Sequence, residues 1–425
     1  MDRTLQDIHD HINSLEIIDT HEHLPGTEAA RPRPTDVLTE YLSHYFNRDL
    51  ISAGLPEADF RRVIDHTQPL AERWALVEPY WEHARHTGYG LSLETTVQGL
   101  YGIERIDGST IEPLNEAFQR SLEPGAYRRV LKDKCRIRVS LNNEEGEMDP
   151  EFFLRAYHVD DFILPRTWND IRTVEQESGV LIRGFDDWLE AAEAVFERLP
   201  QMRVGCLKSA LAYERPLRYD RVTRSEAEAG FNQGFAGLHL PDWGERPFAV
   251  PKAFQDYMMH FILRLAGKRE YTFQFHTGLQ EGNGNLIYHS DPTLLSNLFL
   301  EYPDVRFDLF HMSYPYEHAL SALAKNFPNV YIDMCWGHIV SPAAAVNALV
   351  EWLDAVPANK ISAFGGDYCF VDAVYGHQLL ARENVARALA IKVEQGVFGV
   401  DRACRIGEML FIDNPMAIFR LEGKL

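Results

Sequence analysis

The chain has no apolar run of about 18 residues, the length a helix needs to span a bilayer. Its N-terminus, MDRTLQDIHDHINSLEIIDTHEH, is polar and lacks the apolar stretch of a signal peptide. Cysteine is scarce: Cys135, Cys206, Cys335, Cys369 and Cys404 are scattered, odd in number and without a Cys-x-x-Cys pair. That pattern argues against a disulfide framework and fits a reducing cytoplasm. Basic residues are in deficit, 42 against 63 acidic ones, for a net charge of -21. So acidic a surface repels phosphate backbones and anionic lipid, and neither nucleic acid nor a membrane is an expected partner. Internal repeats, low-complexity tracts and a clear interdomain linker are missing too. What is present is 425 residues, 45% hydrophobic, enough to bury a large core. A soluble, acidic, cytoplasmic globular protein is the expectation.

Short apolar runs ending in a polar residue recur along the chain. They are LEIID (15–19), CRIRVSL (135–141), DFILPR (161–166), RVGCLKS (203–209), YTFQFH (271–276), VRFDLFH (305–311), NVYIDM (329–334) and KISAFGGD (360–367). Between the later runs lie helix-like segments, 292–303, 316–328 and 341–357. Strand–helix alternation at this spacing predicts parallel strands with crossover helices. Eight strands predict an α/β fold closed into a (β/α)8 TIM-like barrel, with a doubly wound open sheet as the alternative. The barrel is expected to span 1–425 as a single domain. Residues 30–132, rich in helix formers and aromatics, read as a helical insertion after the first strand, lying over the mouth as a lid. A second irregular segment, 214–247, follows the fourth strand. Loops of such length are functional lids, or else decoration and contacts within a homo-oligomer.

His21 and His23 stand two apart at the end of the first run. In a strand such residues share a face, so the two imidazoles project together while Glu22 points away. His-x-His also arises by chance among 17 histidines. What gives it meaning is where the other candidates fall. His276, His311 and Asp367 each close a predicted strand, on the face where such barrels build active sites. Barrel closure sets the eighth strand beside the first and brings Asp367 to His21. His21, His23, His276 and Asp367 are therefore the expected metal ligands. Zinc suits them, with manganese, iron or nickel as alternatives and one or two ions per chain. A metal there lowers the pKa of bound water and polarises a carbonyl. Asp367 is the expected proton shuttle, or else a turn residue after Gly365–Gly366.

His311 either completes a second metal site or stays free for proton transfer. Lys208, at the end of the fourth run, is a carbamate bridging two metals, a partner for a substrate anion, or a structural lysine. Arg166 can fix a carboxylate bidentately, or form a surface salt bridge. Trp336 can wall the pocket, and Tyr314 and Tyr316 can donate to substrate oxygens or simply pack. GLQEGNGN (278–285) lacks phosphate-loop spacing and reads as an active-site loop. His83, His86, His260 and His318 fall in helix-like segments and do not converge.

With these residues assembled, the chain resembles the amidohydrolase superfamily. DTHEH resembles its first-strand motif, QFHTG its fifth-strand histidine, FHMSYP its sixth-strand histidine and FGGDY its eighth-strand aspartate. The resemblance implies ligation by His21, His23 and His276, with Asp367 as ligand and proton shuttle. It implies that His311 binds metal or assists catalysis. Within the superfamily the chain looks most like the amidohydrolase 2 branch, near the amidohydrolase-like domains fused to glutamine-synthetase-like proteins and the uronate isomerases. HMSYPYEHALSALAKNFPNVYIDMCW resembles the first two groups, and QFHTGLQEGNGN the uronate isomerases. The eighth-strand surround differs from the isomerase pattern, and the sixth strand keeps a histidine. The implied activity is metal-dependent hydrolysis of an amide or ester bond in a small, polar, carboxylate-bearing substrate. Uronate isomerisation and decarboxylation of an aromatic acid are the alternatives.

Overall fold

The structure, a computed structural model, describes residues 3–235 and 247–425. Eight strands run parallel in sequential order: β1 (Ile17–Glu22), β2 (Ile137–Asn142), β3 (Phe153–His158), β4 (Val204–Ser209), β5 (Phe273–His276), β6 (Phe307–Phe310), β7 (Val330–Asp333) and β8 (Ile361–Ser362). The ladder ends at β8, but backbone bonds close the seam to β1. Thr20 N donates to Phe364 O at 3.0 Å, Asp367 N to His21 O at 2.8 Å and His23 N to Tyr368 O at 3.1 Å. The result is a nearly closed (β/α)8 barrel.

Side chains alternate along the first four strands. One set packs outward on the helices, including Ile17, Ile137, Phe153 and Val204. The other set, Ile18, Val139, Leu141, Leu154, Ala156 and Cys206, meets Ile418, Phe419 and Leu421 near the chain's end. That apolar plug seals the N-terminal end of the barrel, which leaves the C-terminal mouth for polar groups. Crossover helices start where the sequence supplies caps. Ser341 accepts from Ala344 N before Pro342–Ala355, and Thr167 forms a capping box with Asp170 before Trp168–Ser178.

The third strand is not where the apolar run placed it. DFILPR forms a short helix, Asp160–Ile163, and the strand is Phe153–His158 just before it. Asp160 and Asp161 favour a helix N-terminus, and Pro165 cannot continue an element. In the strand itself, half-buried Arg155 interrupts the apolar residues that would mark it. Arg166 therefore lies well beyond the end of β3. The last run also contracts: β8 keeps two residues, and 363–367 continue as an irregular segment pinned to β1.

Between β1 and β2 the chain is helical, with Phe46–Ser52, Leu70–Ala84 and Gly88–Tyr101 among its helices. The segment after β4 contains the helix Arg224–Gly234. The rest of the expected second lid, 236–246, lies outside the described residues. Among the described residues no helix is long and apolar enough to cross a membrane.

Candidate metal centre

At the end of β1, His21 Nε2 and His23 Nε2 stand 3.2 Å apart. Each lies 3.5 Å from Asp367 Oδ1. The ligand atoms of these three residues all fall within 4.8 Å of one another. Neighbours orient the two rings. His21 Nδ1 meets Gln274 Oε1 at 3.3 Å, and the Gln274 amide donates to Thr20 O and Asp308 Oδ2, both at 3.0 Å. His23 Nδ1 faces Glu144 Oε1 at 3.5 Å. The two Nε2 atoms face each other at hydrogen-bond distance, where a shared proton or a cation fits between them. Burial, then the charges of Lys208, His23 and His311, holds His21 well below the ordinary histidine range, which favours the neutral, ligating form.

Asp367 is set by the seam. Its φ of 57° is left-handed, a conformation that must be held by its surroundings. Three consecutive amides hold it: Gly366 N donates to Asp19 Oδ1 at 3.1 Å, Asp367 N to His21 O at 2.8 Å and Tyr368 N to Glu22 Oε2 at 2.8 Å. Glu22 does point away from the imidazoles, and this is what it does there. A Cβ on Gly365 would meet Cys335 Sγ at 2.6 Å, and one on Gly366 would collide with Glu22 Oε1, so the pair must be glycine. From the insertion, Tyr45 (φ 59°) donates its hydroxyl to Asp367 Oδ2 at 2.6 Å and to Asp367 O at 2.5 Å. Burial pushes the Asp367 carboxyl up, while His23, the Tyr45 bond and Lys208 draw it back.

His276 lies outside the three-residue cluster. Its Nε2 donates to Leu279 O at 2.9 Å, and its Nδ1 faces His311 Nε2 at 3.0 Å. His311 Nδ1 lies 3.3 Å from Cys335 O and 3.9 Å from Asp367 Oδ2. This second imidazole pair also faces nitrogen to nitrogen at hydrogen-bond distance. Burial, with Lys208, holds His276 down to about 3; burial and His276 hold His311 well below the ordinary range. A second grouping of donors, His311, Cys335 and Asp367, shares Asp367 with the first. The donor set thus fits a divalent cation, with nitrogen and oxygen ligands convergent.

A cavity of about 360 Å³ opens on this cluster, lined by His23, His44, Tyr45, His158, Lys208 and Asp367 among others. Lys208 is buried at the end of β4, its ammonium 4.6 Å above the Phe310 ring. Trp336 is buried with its ring edge-on to His311 at 5.2 Å and stacked on Tyr45 at 4.8 Å. The Tyr314 backbone, not its phenol, makes its contacts here: its carbonyl accepts from Leu279 N at 2.6 Å. Tyr316 donates to Ile287 O at 3.4 Å on the outside of the loop. Arg166 is not brought to the cavity; its guanidinium pairs with Glu214 at 3.1 Å in solvent. Nothing in the sequence marked His44 and Tyr45, which sit in the bend before the helix Phe46–Ser52. His158 was legible in principle, because it ends the strand that the DFILPR run obscured.

The Amidohydrolase family model matches residues 188–421, more than half of the chain. The chain belongs to the amidohydrolase family. Members of this family are enzymes that bind divalent metals and act on small molecules. Among curated proteins, protein fluG of Emericella nidulans is 27% identical over 184 residues, 41% of this chain and 21% of that one. A uronate isomerase of Caldanaerobacter subterraneus subsp. tengcongensis is 23% identical over 308 residues, 66% of this chain and 62% of the isomerase. The chain therefore spans less than two thirds of either relative. Two solved structures share the amidohydrolase barrel over 99% of this chain: uronate isomerase of Thermotoga maritima (TM-score 0.81, 16% identity, 98% of that chain) and glucuronate isomerase of Caulobacter crescentus (0.79, 17%, 94%).

Proposed function

We propose that the mouth is a metal-dependent site that hydrolyses a C–N or ester bond in a small, polar, carboxylate-bearing substrate. The observation that carries this reading is the convergence of His21, His23 and Asp367, whose ligand atoms lie within 4.8 Å of one another. These residues would hold a divalent ion, zinc by their chemistry, which would supply a Lewis acid for the scissile carbonyl and acidify water. Asp367 takes the proton that the attacking water loses and delivers it to the leaving nitrogen or oxygen. Tyr45, bonded to Oδ2, keeps that carboxylate turned into the mouth. His276 and His311 supply further nitrogen donors on the β5–β6 side, where His311 either ligates or steadies the developing oxyanion. Lys208, a buried cation without an ion-pair partner among the described residues, binds the substrate's carboxylate. Trp336 and Tyr45 wall off water, and the helical segment after β1 acts as the lid of a single barrel domain.

Isomerisation of a uronate is the second reading. The uronate isomerases that align with most of the chain or share its fold support it. So does the Tyr45–Asp367 pair, which suits moving a proton between neighbouring carbons. Retention of His311 and Lys208 favours hydrolysis. Incubating the purified protein with N-acyl amino acids, lactones and D-glucuronate, in heavy-oxygen water and in deuterium oxide, separates the two. Hydrolysis places solvent oxygen in the product acid and leaves carbon unlabelled. Deuterium at a product carbon contradicts it and supports isomerisation.

A further inference from the structure

β4 lies across an eight-stranded barrel from β8, so the wall facing Asp367 is made by the ends of β3 and β4. His158 closes β3 and is the register partner of Lys208. Both line the cavity that Asp367 enters. The His158 side chain is 33% exposed, while Asp160 behind it is 3% exposed, with Nε2 and Oδ2 3.2 Å apart. Asp160 Oδ2 also accepts from Ala210 N at 2.8 Å, which anchors the acid to the loop after β4.

A buried carboxylate is tolerated when paired and hydrogen-bonded. Burial alone would push Asp160 up; the His158 charge and bonds from His158, Ser209 and Ala210 outweigh it and hold it below the usual carboxylate range. Reciprocally, burial works against an imidazolium at His158, and Asp160 overcomes it by charge and hydrogen bond to raise it above the ordinary value, with Lys208 opposing. The open side of the ring carries Nδ1, which has no partner among the described residues. Of the cavity's other acids, Glu281 is taken up by Arg48 at 2.8 Å and Glu144 faces His23 at 3.5 Å, while Asp161 beside the ring also favours the imidazolium.

We infer that His158, oriented by Asp160, is a substrate-binding residue that grips a carboxylate together with Lys208, on the wall opposite the metal ligands. Nδ1–H of His158 and the Lys208 ammonium then form a two-donor clasp, the task that the sequence assigned to Arg166. A charge-assisted bond of this kind discriminates an acid from its neutral amide. Asp160 is a positioning residue, acting only through His158. The inference rests on the reading of the mouth as a metal-dependent site for an acidic substrate.

The test uses the full chain as purified, with succinate as the probe and succinamide as its uncharged control. The imidazole resonance of His158 is identified by its loss in His158→Gln. Succinate is expected to shift it saturably and succinamide to leave it in place. By calorimetry, His158→Gln should weaken succinate at least tenfold, and His158→Lys, which restores a cation, should recover most of that loss. Asp160→Asn should lower the pH at which His158 titrates and weaken succinate with it. A His158 resonance unmoved by succinate, or moved equally by succinamide, overturns the inference. So does an unchanged His158 titration in Asp160→Asn. Failure of the underlying metal reading would show separately, as a wild-type chain that takes up no divalent ion in elemental analysis.

Discussion

The two sides of the barrel mouth are built to different tolerances. On the β8–β1 seam, Asp367 is held by three successive backbone amides, two buried carboxylates behind them and the Tyr45 hydroxyl. Two glycines admit no side chain there. On the β3–β4 wall, His158 has one partner and Lys208 rests over a phenylalanine ring. Chemistry tolerates little displacement of its reacting groups, and a misplacement of about 1 Å can cost roughly a hundredfold in rate. Recognition of a flexible acid tolerates more. On the proposed reading, the seam handles metal and proton and the wall recognises the substrate.

Asp367→Asn breaks the comparison hardest. It keeps an oxygen ligand and the backbone clamp but removes the proton acceptor. It should spare most metal and lower kcat by about 10²- to 10⁴-fold, the usual contribution of a positioned acid or base. Near-normal turnover would remove Asp367 from the chemistry. Tyr45→Phe deletes one hydrogen bond to that carboxylate and should lower kcat by roughly tenfold, about the 1.4 kcal/mol of a bond to a charged group, with KM little changed.

Asp333, beside the seam, sharpens the contrast through pH. Burial pushes its carboxyl from 3.8 up to about 7, against bonds from Thr20 and Cys335 N. In the unfolded chain it ionises near 3.8, so between these values the native state holds the extra proton. Its contribution to stability is complete below the lower value and is lost as pH rises through the upper one. Asp333→Asn, shaped like the neutral acid, should gain stability relative to wild type between pH 5 and pH 8 in denaturant titrations. A difference that is flat with pH would contradict the assignment. Arg166→Ala should do least: an exposed pair is worth about 0–1 kcal/mol, and Arg166 does not line the cavity. A large rise in KM would return it to the site.

Much of the seam was legible because strand ends are written in one residue type after an apolar run. FQFH, FDLF before His311, and FGGD announce their polar ends directly, and closure of a barrel brings the last to the first. The β3–β4 wall was only half legible. RVGCLKS delivered Lys208, but FLRAYH hides behind an arginine that faces outward, and the more apolar DFILPR is a helix because two acids start it. Displacing the strand displaced the expected anion partner from His158 to Arg166. Tyr45 and His44 come from the bend before the helix Phe46–Ser52, where no periodic pattern points a side chain at the mouth. His276 shows a different limit. Sequence position places it at the mouth, but whether its Nδ1 turns to a metal or to His311 depends on angles that no pattern encodes.

The central claim is that His21 and His23 hold a divalent ion beside Asp367. Elemental analysis of the purified wild type and the His21→Ala/His23→Ala variant, with circular dichroism to follow the fold, tests it most directly. The account predicts at least one divalent ion per wild-type chain, and a folded variant that has lost it together with all turnover. A folded variant whose metal content equals wild type would contradict the site.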